Sequence, residues 1–128
     1  MNEKEILEKC KTIAVVGCST DPKKPANYVP GYLKEQGYRI IPVNPFADEI
    51  LGEKVYKSLE EVPDKIDTVL VFRPGEETPD VVKKAVEVGA KAVWLQEGIK
   101  NDEAEHLAEE AGLGFVMDRC MLKVHKGE

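Results

Sequence analysis

Apolar residues follow one another along the chain in two alternating rhythms. Short unbroken blocks give way to stretches in which apolar positions recur every third or fourth residue. Thr12-Ile-Ala-Val-Val-Gly17 is a β-branched block closed by glycine, the pattern of a parallel strand covered on both faces. Similar blocks at Tyr38–Val43, Thr68–Phe72, Ala92–Leu95 and Leu113–Val116 predict four more strands, spaced far enough apart for a helix between most pairs.

The helical stretches carry their own punctuation. Thr78-Pro79 opens a helix with Val81, Val82, Ala85 and Val86 on its inner face, and Gly89 ends it. Asn101 opens another, in which Ala104, Leu107, Ala108 and Ala111 fall at i, i+3, i+4 and i+7 before Gly112. Tyr28, Val29, Tyr32 and Leu33 supply a face ending at Gly37. Because proline breaks a helix interior, Pro30 is expected in the first turn there, which leaves Cys18 to about Ala26 as a long loop. Asn2 with Glu5, and Ser58 with Glu61, read as capping boxes for an N-terminal helix and a short helix before the third strand.

Strand, helix, strand, repeated with right-handed crossovers, predicts an α/β fold. Residues 1–128 form a single Rossmann-type domain, a doubly wound parallel five-stranded sheet with helices on both faces and an expected order of 3-2-1-4-5. In that order the winding reverses between strands one and four, and ligands bind beyond the carboxyl ends of the strands at the reversal. The loops concerned are Gly17 to Lys24, Asn44-Pro45, Arg73-Pro74 and Gln96-Glu97-Gly98, with Asp118-Arg119-Cys120 beside them.

Composition narrows the partners. A hydrophobic content of 42% with 33% charged residues is that of a globular domain. A net charge of −6 without a basic stripe argues against nucleic acid. No apolar run approaches the roughly 18–20 residues that cross a bilayer, and Met1-Asn2-Glu3-Lys4-Glu5 lacks the blocks of a signal peptide, so no membrane partner and a cytoplasmic location are expected. Cys10, Cys18 and Cys120 are an odd number without a CxxC pair, which points to reduced thiols, with neither a disulfide framework nor a metal site.

The first loop, Gly17-Cys18-Ser19-Thr20-Asp21-Pro22-Lys23-Lys24-Pro25, matches neither G-x-G-x-x-G nor the P-loop. It offers a glycine turn, two hydroxyls, backbone amides at a helix N-terminus and two lysines, a bed for a pyrophosphate or simply a polar surface loop. NAD enzymes of this topology usually place a carboxylate at the end of strand two for the ribose hydroxyls, and here that strand ends in Asn44-Pro45. This disfavours NAD and leaves room for a phosphorylated ribose, although Asp48 and Glu49 follow closely. Strand three ends Phe72-Arg73-Pro74, which gives no aspartate for a phosphoacceptor receiver; Arg73 suits a phosphate fork or a surface ion pair equally. His106 within a helix and His125 in the C-terminal tail are poor catalytic candidates. Cys18 and Cys120 should both emerge on the ligand side.

Several segments in register carry a resemblance: Ala14-Val-Val-Gly-Cys-Ser19, Gly37-Tyr38 leading to Pro42-Val-Asn-Pro45, Gly52-Glu-Lys-Val-Tyr56 with Ser58-Leu59, Val93-Trp-Leu-Gln96 and Met117-Asp-Arg-Cys120. Over almost its whole length the chain resembles the stand-alone CoA-binding protein family, which is similar in turn to the N-terminal CoA-binding domain of the succinyl-CoA synthetase α subunit. Gln96-Glu97-Gly98-Ile99 echoes that relative's strand-four loop. The resemblance implies coenzyme A as ligand, its pyrophosphate on Gly17, Cys18, Ser19 and Thr20, and its border at Gln96 and Glu97. The synthetase's phosphate-binding lysine after strand two is replaced by Phe46-Ala47, so Lys24, or else Lys23, is expected to substitute.

The leading expectation is therefore a module that binds CoA or an acyl-CoA without catalysis of its own. Its contact residues would be Gly17, Cys18, Ser19, Thr20, Lys24, Asn44, Pro45, Phe72, Arg73, Gln96 and Glu97, and Cys120, then Cys18, would be able to form a mixed disulfide with the CoA thiol. The alternatives are a component lending its CoA site to an acyl-CoA ligase, and a nicotinamide-dinucleotide-binding redox sensor.

Overall fold

Each apolar block becomes a strand, and the period-two side-chain alternation of a strand sorts its residues onto two helical layers. The computed structural model describes residues 1–128. In order, the chain forms α1 (Glu3–Lys9), β1 (Thr12–Val16), α2 (Pro25–Glu35), β2 (Arg39–Val43), the hairpin β3 (Glu49–Ile50) and β4 (Glu53–Lys54), β5 (Thr68–Val71), α3 (Thr78–Glu87), β6 (Ala92–Leu95), α4 (Asp102–Glu110), β7 (Gly114–Val116) and α5 (Met121–Lys126). Ile13 and Val15, with Ile40, Leu70 and Trp94, face Ile6, Val29, Leu33 and Met121 of α1, α2 and α5. Ala14, with Val69, Val71, Val93 and Leu95, faces Val82, Ala85, Ala104 and Ala108 of α3 and α4. The doubly wound parallel sheet expected from the sequence is present.

The strand order differs from the expectation. The sheet runs β2-β1-β5-β6-β7, which in sheet strands alone is 2-1-3-4-5 rather than 3-2-1-4-5. Pro42 gives the physical reason. Its carbonyl points away from β1 and accepts from Tyr56 N–H at 3.1 Å, so the N–H that proline lacks would have served that same outer side. No full strand can pair there, and proline in a sheet belongs on an edge. β2 is that edge. β5, whose four residues are all buried, goes to the other side of β1. The winding therefore reverses between β1 and β5, not between strands one and four.

α2 also departs from the expectation. It starts at Pro25, and Pro30 lies inside it. The carbonyl that Pro30 leaves unpaired, Ala26 O, accepts from Ser19 N–H at 3.0 Å instead, which compensates the missing helical bond and ties the first loop to the helix. The box at Asn2 and Glu5 forms, and Asn101 caps α4 through Ala104 N. At Ser58 the side chain does not cap, and only the single 3-10 turn Leu59–Glu61 follows. The supposed C-terminal tail is α5, and its His125 Nδ1 lies 2.7 Å from Tyr32 Oη.

Candidate functional site

At the reversal, Gly17 closes β1 with φ +84°, and a Cβ built there would lie 2.6 Å from Phe72 O and 2.9 Å from Arg73 Cδ. Only glycine brings the two strand ends this close. The next two residues are held from three directions. Gly17 N–H donates to Val43 O at 3.1 Å, and Asn44 Nδ2 donates to Cys18 O at 2.8 Å. Ser19 N–H goes to Ala26 O, Asn27 Nδ2 donates to Ser19 O at 2.8 Å, and Ser19 Oγ accepts from Asp21 N at 3.0 Å. The N–H groups of the exposed Thr20 and the half-buried Ala26 make no hydrogen bond within the chain. They sit by the N-terminus of α2, where aligned peptide dipoles favour an anion.

Gly17, Phe72 and Arg73 form a divide between two concavities. The larger, about 610 Å³, takes in Gly17, Asn44, Pro45, Phe46, Leu59, Arg73 and Val81, with Lys57, Lys84, Glu60, Glu77 and Asp80 on its walls. The smaller, about 330 Å³, takes in Lys24, Ala26, Tyr28, Phe72, Gln96, Glu97, Cys120 and Lys123. A third hollow, of about 460 Å³, is lined by Lys11, Tyr38 and His125 among others and includes none of these loop residues.

The residues predicted from the sequence thus divide between the two concavities, and several hold the loops rather than face open space. Asn44 pins Cys18 with its amide nitrogen, while its Oδ1 accepts from Phe46 N at 2.7 Å and Ala47 N at 3.2 Å. Gln96 is 4% exposed and accepts from Met121 N at 3.3 Å, which fixes the start of α5. Glu97 pairs with Lys123 at 3.0 Å, and that carboxylate raises the ammonium's pKa. Arg73 places its fork on Glu77 at 3.1 and 2.8 Å, and this ion pair raises the guanidinium's pKa. Lys24 lies at the smaller concavity and has no ion-pair partner. Cys18 is fully buried, and burial pushes its thiol up to about 12, which removes it as a ready nucleophile. Cys120 is 8% exposed at the wall of the smaller concavity.

Sequence reasoning missed Lys57, Glu60, Glu77, Asp80 and Lys84 on the larger concavity and Lys123 on the smaller. Lys57 is the most telling: its Nζ donates to Ala47 O at 2.8 Å, so a cation does stand beside the segment after β2, delivered from the β4–β5 crossover. The three carboxylates also qualify the sequence argument against NAD, since acids reach this side from α3 and the crossover although none ends β2.

The sequence profile described as CoA binding domain matches residues 11–126. The chain belongs to this family. The chain is 43% identical over 122 residues to YneT, an uncharacterised protein of Bacillus subtilis, covering 95% of this chain and 90% of that one. A hypothetical protein from Pyrococcus horikoshii superposes with a TM-score of 0.94 at 45% identity, over 98% of this chain and 88% of the other. The α subunit of the ADP-forming acetate–CoA ligase II of Pyrococcus furiosus is 33% identical over 121 residues, 85% of this chain but 26% of the subunit. The domain thus spans about a quarter of that ligase chain, and the synthetase-like relation expected from the sequence is present.

Proposed function

We propose that the protein binds coenzyme A or an acyl-CoA across the divide at Gly17 and performs no catalysis of its own. The observation that carries this reading is the first loop. The Cys18 and Ser19 carbonyls and the Gly17 and Ser19 amides are committed to the protein, while Thr20 and Ala26 N–H stay free near Lys24, which suits a diphosphate. A diphosphate there has a concavity on either side, and CoA is a ligand with two arms. The adenosine 3′-phosphate end suits the larger space, with Lys57 standing in for the lysine absent after β2. The pantetheine arm suits the smaller one, where Cys120 borders the thiol end. The polar groups of both walls are largely engaged with one another, a holding surface more than a reacting one.

Competition titration against a fluorescent CoA analogue at fixed salt tests the reading. CoA should bind more tightly than dephospho-CoA by roughly 10- to 150-fold, the effect of one charge-assisted phosphate contact of about 1.5–3 kcal/mol, and both should exceed NAD. NAD displacing the probe as well as CoA does would overturn the assignment. The identity to a ligase α subunit favours a second reading, a component that lends its CoA site to an enzyme; specific co-purification of an ATP-binding subunit would select it.

A further inference from the structure

Phe46 is 92% exposed, far more than any other large apolar side chain, the next being Tyr28 at 48%. A ring in that position normally belongs to a loose loop or waits for something flat. The loop is not loose. Asn44 Oδ1 receives both Phe46 N and Ala47 N, Asn44 Nδ2 anchors to Cys18 O, and Lys57 Nζ holds Ala47 O at 2.8 Å and Asp48 Oδ1 at 3.3 Å. Pro45 restricts the backbone immediately before the ring. The side chain is presented by a fixed platform at the rim of the larger concavity.

The surroundings identify what it meets. Protein partners dock on contiguous apolar patches of several hundred Å², whereas Phe46 is a single ring flanked by Asp48, Glu49 and the charged walls of the concavity. A lone exposed ring beside a polar recess, next to a bed for phosphate, matches a planar heterocycle that stacks on one face and keeps its polar edge hydrated or hydrogen-bonded. Resting on the coenzyme reading above, we infer that Phe46 is the stacking platform for the adenine base of the ligand. It takes up the base in apolar contact at the end of β2, and it selects for nucleotides by that base.

The test uses the full chain as wild type and as Phe46→Ala, Phe46→Leu and Phe46→Tyr, titrated by calorimetry with CoA and with adenosine 3′,5′-bisphosphate, the base-bearing half alone. Because the ring is almost wholly exposed, the variants should keep the wild-type melting temperature. Phe46→Ala and Phe46→Leu should weaken both ligands by roughly 5- to 150-fold, the range of base–aromatic stacking, while Phe46→Tyr retains affinity. Unchanged affinity in Phe46→Ala, or full affinity in Phe46→Leu, overturns the stacking assignment and leaves the coenzyme reading intact. A wild-type chain that binds neither ligand removes both.

Discussion

Gly17→Ala is the substitution that most directly tests whether the contact between the ends of β1 and β5 shapes the site. Two penalties add. The first is the positive φ of +84°, which costs an L-residue about 1–2 kcal/mol. The second is overlap: a Cβ at 2.6 Å from Phe72 O and 3.1 Å from Phe72 C meets backbone, so a strand end must shift, a disturbance of about 1–3 kcal/mol. The sum is about 2–5 kcal/mol. With an unfolding entropy near 2.1 cal/mol/K per residue over 128 residues, Tm should fall by about 7–19 °C. Gly89→Ala is the control, since φ is +77° there but nothing lies within 4 Å of the added carbon; only the first penalty applies, about 4–7 °C. Differential scanning calorimetry of both variants measures the difference. Equal losses would show that the close approach at the divide is not a structural determinant, and the account of the site built on it would fail.

Pro30→Ala should leave Tm nearly unchanged or raise it, but speed amide exchange at Ser19, because the N–H restored at position 30 would compete for Ala26 O; unaltered exchange at Ser19 in a hydrogen-exchange experiment refutes the tether. Asp67 is partly buried, which by itself raises its pKa, yet the N–H groups of Thr12 and Lys11, each donating to it at 3.1 Å, and Lys91 at 3.5 Å outweigh burial and hold it below the usual carboxylate range. Since the folded pKa lies below the unfolded value near 3.9, its stabilisation is present above that value and fades as pH falls through the folded one. Asp67→Asn should therefore lose about 1–2 kcal/mol at neutral pH and flatten the acid limb of a pH–Tm curve; parallel curves for the two proteins would contradict this. Arg73→Ala should weaken CoA roughly tenfold by calorimetry while moving Tm by no more than a few degrees, the exposed Arg73–Glu77 pair being worth about 0–1 kcal/mol; unchanged affinity would show that backbone amides alone hold the phosphates. Incubation with CoA disulfide should let the Cys120 thiolate attack one sulfur and release CoA thiolate, leaving a mixed disulfide seen by intact mass in Cys18→Ser but not in Cys120→Ser; an adduct that persists in Cys120→Ser overturns the assignment.

Local chemistry was enough for most of the architecture. The strand blocks are legible because a parallel strand covered on both faces needs uninterrupted β-branched side chains, the caps at Asn2 and Asn101 because helix ends must satisfy their own amides, and Pro79 because a first-turn residue has no helical amide bond to lose. Gly17 and the loop after it were identifiable from position alone, at the carboxyl end of the first strand. Even the strand order had a local signal in Pro42, whose missing donor marks an edge strand. What the tertiary structure decided were pairings between segments distant in sequence. The Arg73–Glu77 pair, the hold of Asn44 on Cys18 O and the arrival of Lys57 beside the segment after β2 depended on how the crossover carrying Lys57 and the start of α3 fold back over the strand ends. Pro30 shows the same limit. A proline excluded from a helix interior on local grounds is accommodated because Ser19, 11 positions earlier, brings a donor to the carbonyl it frees. Side-chain identity specifies what each residue can bond to, and only the folded chain specifies which of those partners arrives.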